Sequence, residues 1–207
     1  MEEIVLVGLG NPGEKYEGTR HNVGFEVLRK LAQRFHVQWR HEGRCNAYVA
    51  KTKALGAVWH LLCPQTFMNL SGQALARYLS FHHIPKERVV VVSDDVNIPF
   101  NTLRMRKEGS AGGHNGLKDI ERVLGRQYIR LRVGVGSPKE SAKENNHLPL
   151  PLEDYVLKRF TFEEQRVLPS LIERAVECLI LLPVDEIETI MSKEKNITKS
   201  LKGTGEK

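Results

Sequence analysis

Two short runs of unbroken apolar, mostly β-branched residues, Ile4-Val5-Leu6-Val7 and Val89-Val90-Val91-Val92, constrain this chain more than any other feature. A strand with one face in water alternates polar and apolar residues. Without that alternation both faces must be covered, which places the strand in the middle of a sheet with helices on either side. The first run ends at Gly8 and the second at Ser93-Asp94-Asp95. Four further segments read as strands: 46–52 and 56–63, close enough to form a hairpin, then 101–107 and 129–135. In the third of these, Leu103 and Met105 alternate with Arg104 and Arg106.

Between the strands, apolar residues recur at helical spacing in four places: Phe25, Leu28, Ala32 and Phe35; Leu75, Tyr78 and Leu79; Leu117, Ile120 and Leu124; Leu168, Leu171, Ala175 and Leu179. The last set is preceded by Thr161 and Glu164, a capping-box pair, and contains Pro169, which predicts a kink or a later helix start. Interleaved strands and helices predict an α/β fold, one three-layer α/β/α domain around a mixed, mostly parallel twisted sheet.

The 207 residues, 41% of them hydrophobic, suit a single core. The expected domain covers residues 1–192, followed by a Lys-rich, flexible tail at 193–207. No run approaches the roughly 18 apolar residues of a membrane span, and Met1-Glu2-Glu3 has no basic start of a secretory signal, so the expected location is the cytoplasm, with no membrane partner. Cys45, Cys63 and Cys178 are far apart with no CxxC pair, which predicts buried thiols and neither a disulfide framework nor a zinc site. The stretch 137–151, with Pro138, Pro149 and Pro151, reads as a loop.

The net charge of +6 is unevenly distributed. Arg104, Arg106, Lys107, Lys118, Arg122, Arg126, Arg130 and Arg132 face only Glu108, Asp119 and Glu121 in the same stretch, and the tail adds a smaller surplus. Such a concentration favours a polyanionic partner.

Candidate chemistry gathers around the glycine loop Gly8-Leu9-Gly10-Asn11-Pro12-Gly13 and the following Thr19-Arg20-His21-Asn22. The loop has neither the acidic partner of a dinucleotide fingerprint nor the GK[ST] ending of a phosphate loop, and by itself it could be a turn leaving a strand. His21 could be a helix-capping or core histidine. It becomes a candidate general base if the Ile4–Val7 and Val89–Val92 strands are neighbours, because Asp94 could then accept from one imidazole nitrogen and leave the other free. Asp94 and Asp95 could equally form a turn or cap. Asn69 and Asn115 fall at helix starts, where asparagine caps well but where free N–H groups also suit a carbonyl, an oxyanion or a phosphate. No GxSxG elbow is present. One histidine, one aspartate and three asparagines describe hydrolysis by water.

Four motifs in order, Gly8-Leu-Gly-Asn-Pro-Gly-x-x-Tyr16, Thr19-Arg-His-Asn-Val-Gly24, Pro64-x-Thr-Phe-Met-Asn-x-Ser-Gly72 and Gly112-Gly-His-Asn-Gly-Leu-Lys-Asp-Ile120, resemble bacterial-type peptidyl-tRNA hydrolase. The resemblance runs from residue 1 to Gly136. It implies a monomeric esterase, without cofactor or metal, that frees tRNA from the peptide it carries. It further implies His21 as base, Asp94 as its partner and Asn11 as the group orienting water or the scissile carbonyl. Asn69 and Asn115 would bind the peptide and the terminal nucleotide, Tyr16 and Met68 would wall the pocket, and Arg106 and Arg132 would hold the tRNA acceptor stem. After Gly136 the chain departs from the family pattern with Ser137-Pro138-Lys139, and 139–151 looks like an insert placed to lie over the cleft. A different class on the same scaffold, a non-catalytic RNA-binding factor like the organellar splicing factors, would share the fold and the basic surface without turnover.

Overall fold

In the computed structural model, which describes residues 2–144 and 148–203, strand β1 (Glu2–Gly8) lies at the centre of the sheet. It pairs in parallel with β4 (Ala57–Pro64) on one side and β5 (Val89–Asp95) on the other. The remaining strands, β2 (Arg40–Glu42), β3 (Ala47–Ala54), β6 (Leu103–Glu108) and β7 (Gln127–Gly134), complete the order β2-β3-β4-β1-β5-β7-β6. The continuous apolar runs behave as their composition demands. Ile4, Leu6, Val90 and Val92 enter a core with helix α1 (Val23–Arg34) and helix α6 (Phe162–Ile180) on one face. Val5, Val7, Val89 and Val91 enter a second core on the other face, with α2 (Ser71–His82) and α3 (Asn115–Leu124).

The sheet is mixed, but its pairings divide equally: β4-β1, β1-β5 and β5-β7 are parallel, whereas β2-β3, β3-β4 and β6-β7 are antiparallel. Parallel strands occupy the middle because helices cover both faces there. The hairpin β3-β4 and the returning β6 make the edges antiparallel.

Two expectations need correction, and one pair of alternatives narrows. Part of the stretch 137–151 is helical, as α4 (Pro138–Glu144), with α5 (Leu152–Val156) following. Pro138 starts α4 without penalty, since an N–H in the first turn has no intrahelical partner to lose. Helix α6 begins at Phe162 through the Thr161–Glu164 capping box and runs past Pro169, so the later start does not occur. The Lys-rich segment is not a loose tail over its described part: α7 (Ile187–Gly203) crosses residue 193, with Glu194 buried and Thr198 Oγ1 accepting from Arg174 at 2.7 Å. Arg174 also donates to the Asn101 carbonyl and side chain, which ties α7 to the loop before β6. Residues 204–207 lie outside the described residues.

After β1 the chain moves to the β4 side and then returns across β1 to β5. The carboxyl ends of β1 and β5 therefore flank a topological switch point, where open α/β sheets form their clefts. Two glycines allow the first turn of α1 to press against this edge. A Cβ on Gly24 would lie 2.5 Å from the Val92 carbonyl, and one on Gly8 would lie 2.5 Å from the Gly24 carbonyl.

Candidate active site

That backbone-to-backbone contact sets the turn preceding α1, Arg20–Asn22, directly over the end of β5. His21 Nδ1 lies 2.9 and 3.0 Å from the two carboxylate oxygens of Asp94. A second imidazole meets the same carboxylate, with His114 Nε2 2.9 Å from Asp94 Oδ1 and the two histidine rings 4.7 Å apart. The Asp94 side chain is only 2% exposed, so these two rings stand in for water around it.

The charge state orders the protons. Burial alone would raise the Asp94 pKa, but the charges and hydrogen bonds of His21 and His114 override it and hold the carboxyl well below its usual range. An ionised carboxylate only accepts, so His21 donates through Nδ1 and, when neutral, carries its lone pair on Nε2. His114 likewise donates through Nε2, while its Nδ1 accepts from the Leu117 N–H at 3.3 Å as the N-cap of α3. Both His114 nitrogens are engaged; among the described residues, His21 Nε2 has no partner. For His21 itself burial opposes protonation, and the adjacent Asp94 more than compensates, so its pKa is raised above 6.5.

His21, Asp94, Asn115 and Arg132 line a single cleft of about 150 Å³, whose other walls include Asn97, Gly113, Leu152 and Val156. Asn11 lies in a neighbouring cleft of about 230 Å³ with Pro12, Asn22 and Tyr48. Asn22, next to His21, exchanges two hydrogen bonds of 2.9 Å with the Asn11 backbone. The Asn11 Oδ1 accepts from the Met68 N–H at 2.9 Å, so its amide NH2 faces the other way as a donor. Met68 is buried and Asn69, beside it, is exposed. Neither candidate asparagine caps a helix: Asn69 lies inside the short turn Met68–Leu70, α2 has no side-chain cap, and α3 is capped by His114. Tyr16 is half-buried on the turn Glu14–Tyr16 and does not line the His21 cleft.

The basic stretch divides into surface and interior. Arg104 and Arg106 are exposed on edge strand β6, and Lys118, Arg122 and Arg126 are exposed on or after α3. Arg130 is fully buried, donating to the carbonyls of Gly109 and Arg126 at 2.7 and 2.9 Å. Arg132 pairs with Asp95 at 2.8 Å and donates to the Ser110 carbonyl at 2.7 Å. Part of the charge counted in the sequence therefore braces the Gly109–Gly113 loop.

Among the described residues, His21, Asp94 and His114 are the one group of three or more His, Cys, Asp or Glu side chains whose potential ligand atoms all lie within 4.8 Å of one another. Each histidine atom facing Asp94 sits at hydrogen-bond distance from it, which makes the group a proton-sharing triad as arranged.

Residues 5–202 match the family model described as peptidyl-tRNA hydrolase. The chain belongs to this family. It is 43% identical over 191 residues to the peptidyl-tRNA hydrolase of Roseiflexus castenholzii, covering 91% of this chain and 85% of that one. It is 36% identical to the Prochlorococcus marinus protein of the same name, covering 93% and 96%. The crystal structure of peptidyl-tRNA hydrolase from Acinetobacter baumannii superposes with a TM-score of 0.82 at 30% identity, covering 92% and 93% of the two chains.

Three residues that touch the His21–Asp94 arrangement or its supports, His114, Asn22 and Asp95, carry no site role in the sequence reading. His114 stood inside a quoted motif, but the glycines before it and Asn115 after it suggested a simple helix start. Asn22 and Asp95 work through the backbone and through Arg132, and no spacing reveals such partners. No helix among the described residues is long and apolar enough to cross a membrane.

Proposed function

We propose that this chain hydrolyses the ester joining a peptide to tRNA, with His21 as general base. The observation that carries this reading is the hydrogen bond from His21 Nδ1 to Asp94, which leaves Nε2 as the free basic nitrogen. Neutral His21 takes a proton from water as the water attacks the ester carbonyl, a step worth about 10²- to 10⁴-fold. As the tetrahedral intermediate collapses and the bond from the acyl carbon to the ribose oxygen breaks, the His21 imidazolium returns that proton to the departing oxygen, so His21 is neutral again and no covalent intermediate is required. The Asn11 amide NH2, turned outward by the Met68 N–H, is the donor for the carbonyl oxygen. Asn69 and Asn115, both free of capping, bind peptide and terminal nucleotide, with Tyr16 and Met68 as flanking walls. Exposed Arg106 meets acceptor-stem phosphates, whereas Arg132 contributes from within its pair with Asp95. The partner is peptidyl-tRNA, and the enzyme acts as a cytoplasmic monomer without cofactor or metal.

The comparisons give the non-catalytic RNA-binding alternative no support: the relatives matched over most of their length carry the name of the hydrolase. The deciding experiment incubates purified protein with an N-acylated aminoacyl-tRNA, with and without chelator. Release of the acyl amino acid and intact tRNA in both arms is expected. Binding without release refutes the enzyme, and loss of release in chelator refutes the metal-free mechanism.

A further inference from the structure

Arg20 immediately precedes the proposed base yet is 2% exposed, and it does not line the cleft. Its backbone N–H donates to the Lys158 carbonyl at 3.1 Å, and its guanidinium donates to the Arg159 carbonyl at 2.8 Å. The second terminal nitrogen meets Glu164 Oε2 at 2.6 Å. The guanidinium carbon lies over the Tyr155 ring, 4.3 Å from its centroid, and 5.3 Å from that of Phe160. Glu164 is engaged twice, since the same oxygen accepts the Thr161 N–H at 2.7 Å in the cap of α6. Tyr155 is held in turn by its hydroxyl, which donates to the Val135 carbonyl at 2.9 Å. It belongs to α5, whose Leu152, Glu153 and Val156 line the same cleft as His21.

These contacts join three things that otherwise have no covalent reason to move together: the turn bearing His21, the helix closing the cleft, and the start of α6. A buried ion pair is poor evidence of added stability, because desolvation offsets attraction, but a planar fork with a stacked face is a strong geometric constraint. We infer that Arg20 is a positioning residue for hydrolysis: clamped by Glu164 and Tyr155, it holds the His21 turn and the α5 wall as one rigid body. The inference rests on the ester-hydrolysis reading.

The test measures kcat and KM for N-acylated aminoacyl-tRNA with Arg20→Lys and Glu164→Gln, beside wild type and His21→Ala. Lysine keeps the charge but not the fork or the stacked plane. Glutamine at 164 still serves the α6 cap, so this variant is expected to fold. Both should lower kcat, by about 10- to 100-fold for a displaced base, with KM changed by less than about twofold. A merely structural role would lower the thermal midpoint and leave kcat below the transition unchanged. Wild-type kcat in Glu164→Gln, or in folded Arg20→Lys, overturns the positioning role, as does a rise in KM alone. An inactive wild type would instead refute the hydrolase reading.

Discussion

His21 and Asp94 face each other through one imidazole nitrogen and both carboxylate oxygens, at 2.9 and 3.0 Å. The contact gives the imidazole a direction as well as a raised pKa: Nδ1 is committed, and only Nε2 can exchange a proton with substrate water.

The pH dependence follows in sign. A proton on His21 favours the folded state, because the folded pKa exceeds 6.5; that contribution is full below 6.5 and is lost as pH rises through the folded value. Catalysis needs the neutral ring, so kcat/KM should rise with pH along an acid limb whose midpoint lies above 6.5. A profile of kcat/KM against pH checks it, and a midpoint below 6.5 contradicts it.

Asp94→Asn should move that limb below 6.5. Removing the carboxylate leaves burial as the dominant influence on the ring, and burial disfavours the imidazolium. With orientation lost as well, turnover at neutral pH should fall by at least about 100-fold, the lower range of base catalysis. The pH profile and single-turnover rates measure both effects.

His114→Ala should shift the limb the other way. With one donor gone, Asp94 concentrates more negative charge on His21 and raises its pKa further. The α3 cap is lost too, at a cost of about 1 kcal/mol from comparable cap removals. Opposite pH shifts for the two variants would separate the roles of Asp94 and His114; shifts of the same sign would refute this division.

Arg106→Ala should raise KM and flatten its salt dependence by about one phosphate contact. Arg130→Met should leave the salt slope unchanged and lower the thermal midpoint, because buried Arg130 serves the carbonyls of Gly109 and Arg126. KM across a salt series, with thermal unfolding alongside, distinguishes surface charge from interior bracing.

Gly24→Ala should be among the most damaging small changes. Its Cβ would meet the Val92 carbonyl at 2.5 Å and the Leu9 nitrogen at 2.6 Å, both backbone atoms. Overpacking of this kind costs about 1–3 kcal/mol, and it would also lift the His21 turn off Asp94. Chemical denaturation and kcat should fall together.

Much of this architecture is local in origin and was therefore legible. Ile4–Val7 and Val89–Val92 announce doubly covered strands, Thr161 with Glu164 announces the start of α6, and the four motifs announce the family, because each depends on neighbours along the chain. The helix over 138–144 and the run of α7 into the Lys-rich segment are not legible for the complementary reason. Pro138 and the lysines give weak local signals, while α7 is held through its Glu194 and Thr198 by Arg174 of α6, which is braced in turn by Asn101.

The amino-acid order by itself determined the central strands and the helices packed on them, and which residue types were available for water-based hydrolysis. Only the tertiary structure decided that β1 and β5 lie side by side, that His114 joins His21 on Asp94, and that Arg130 and Arg132 brace a loop. Burial and proton affinity depend on what surrounds a group in space, and those surroundings are assembled from residues far apart in the chain.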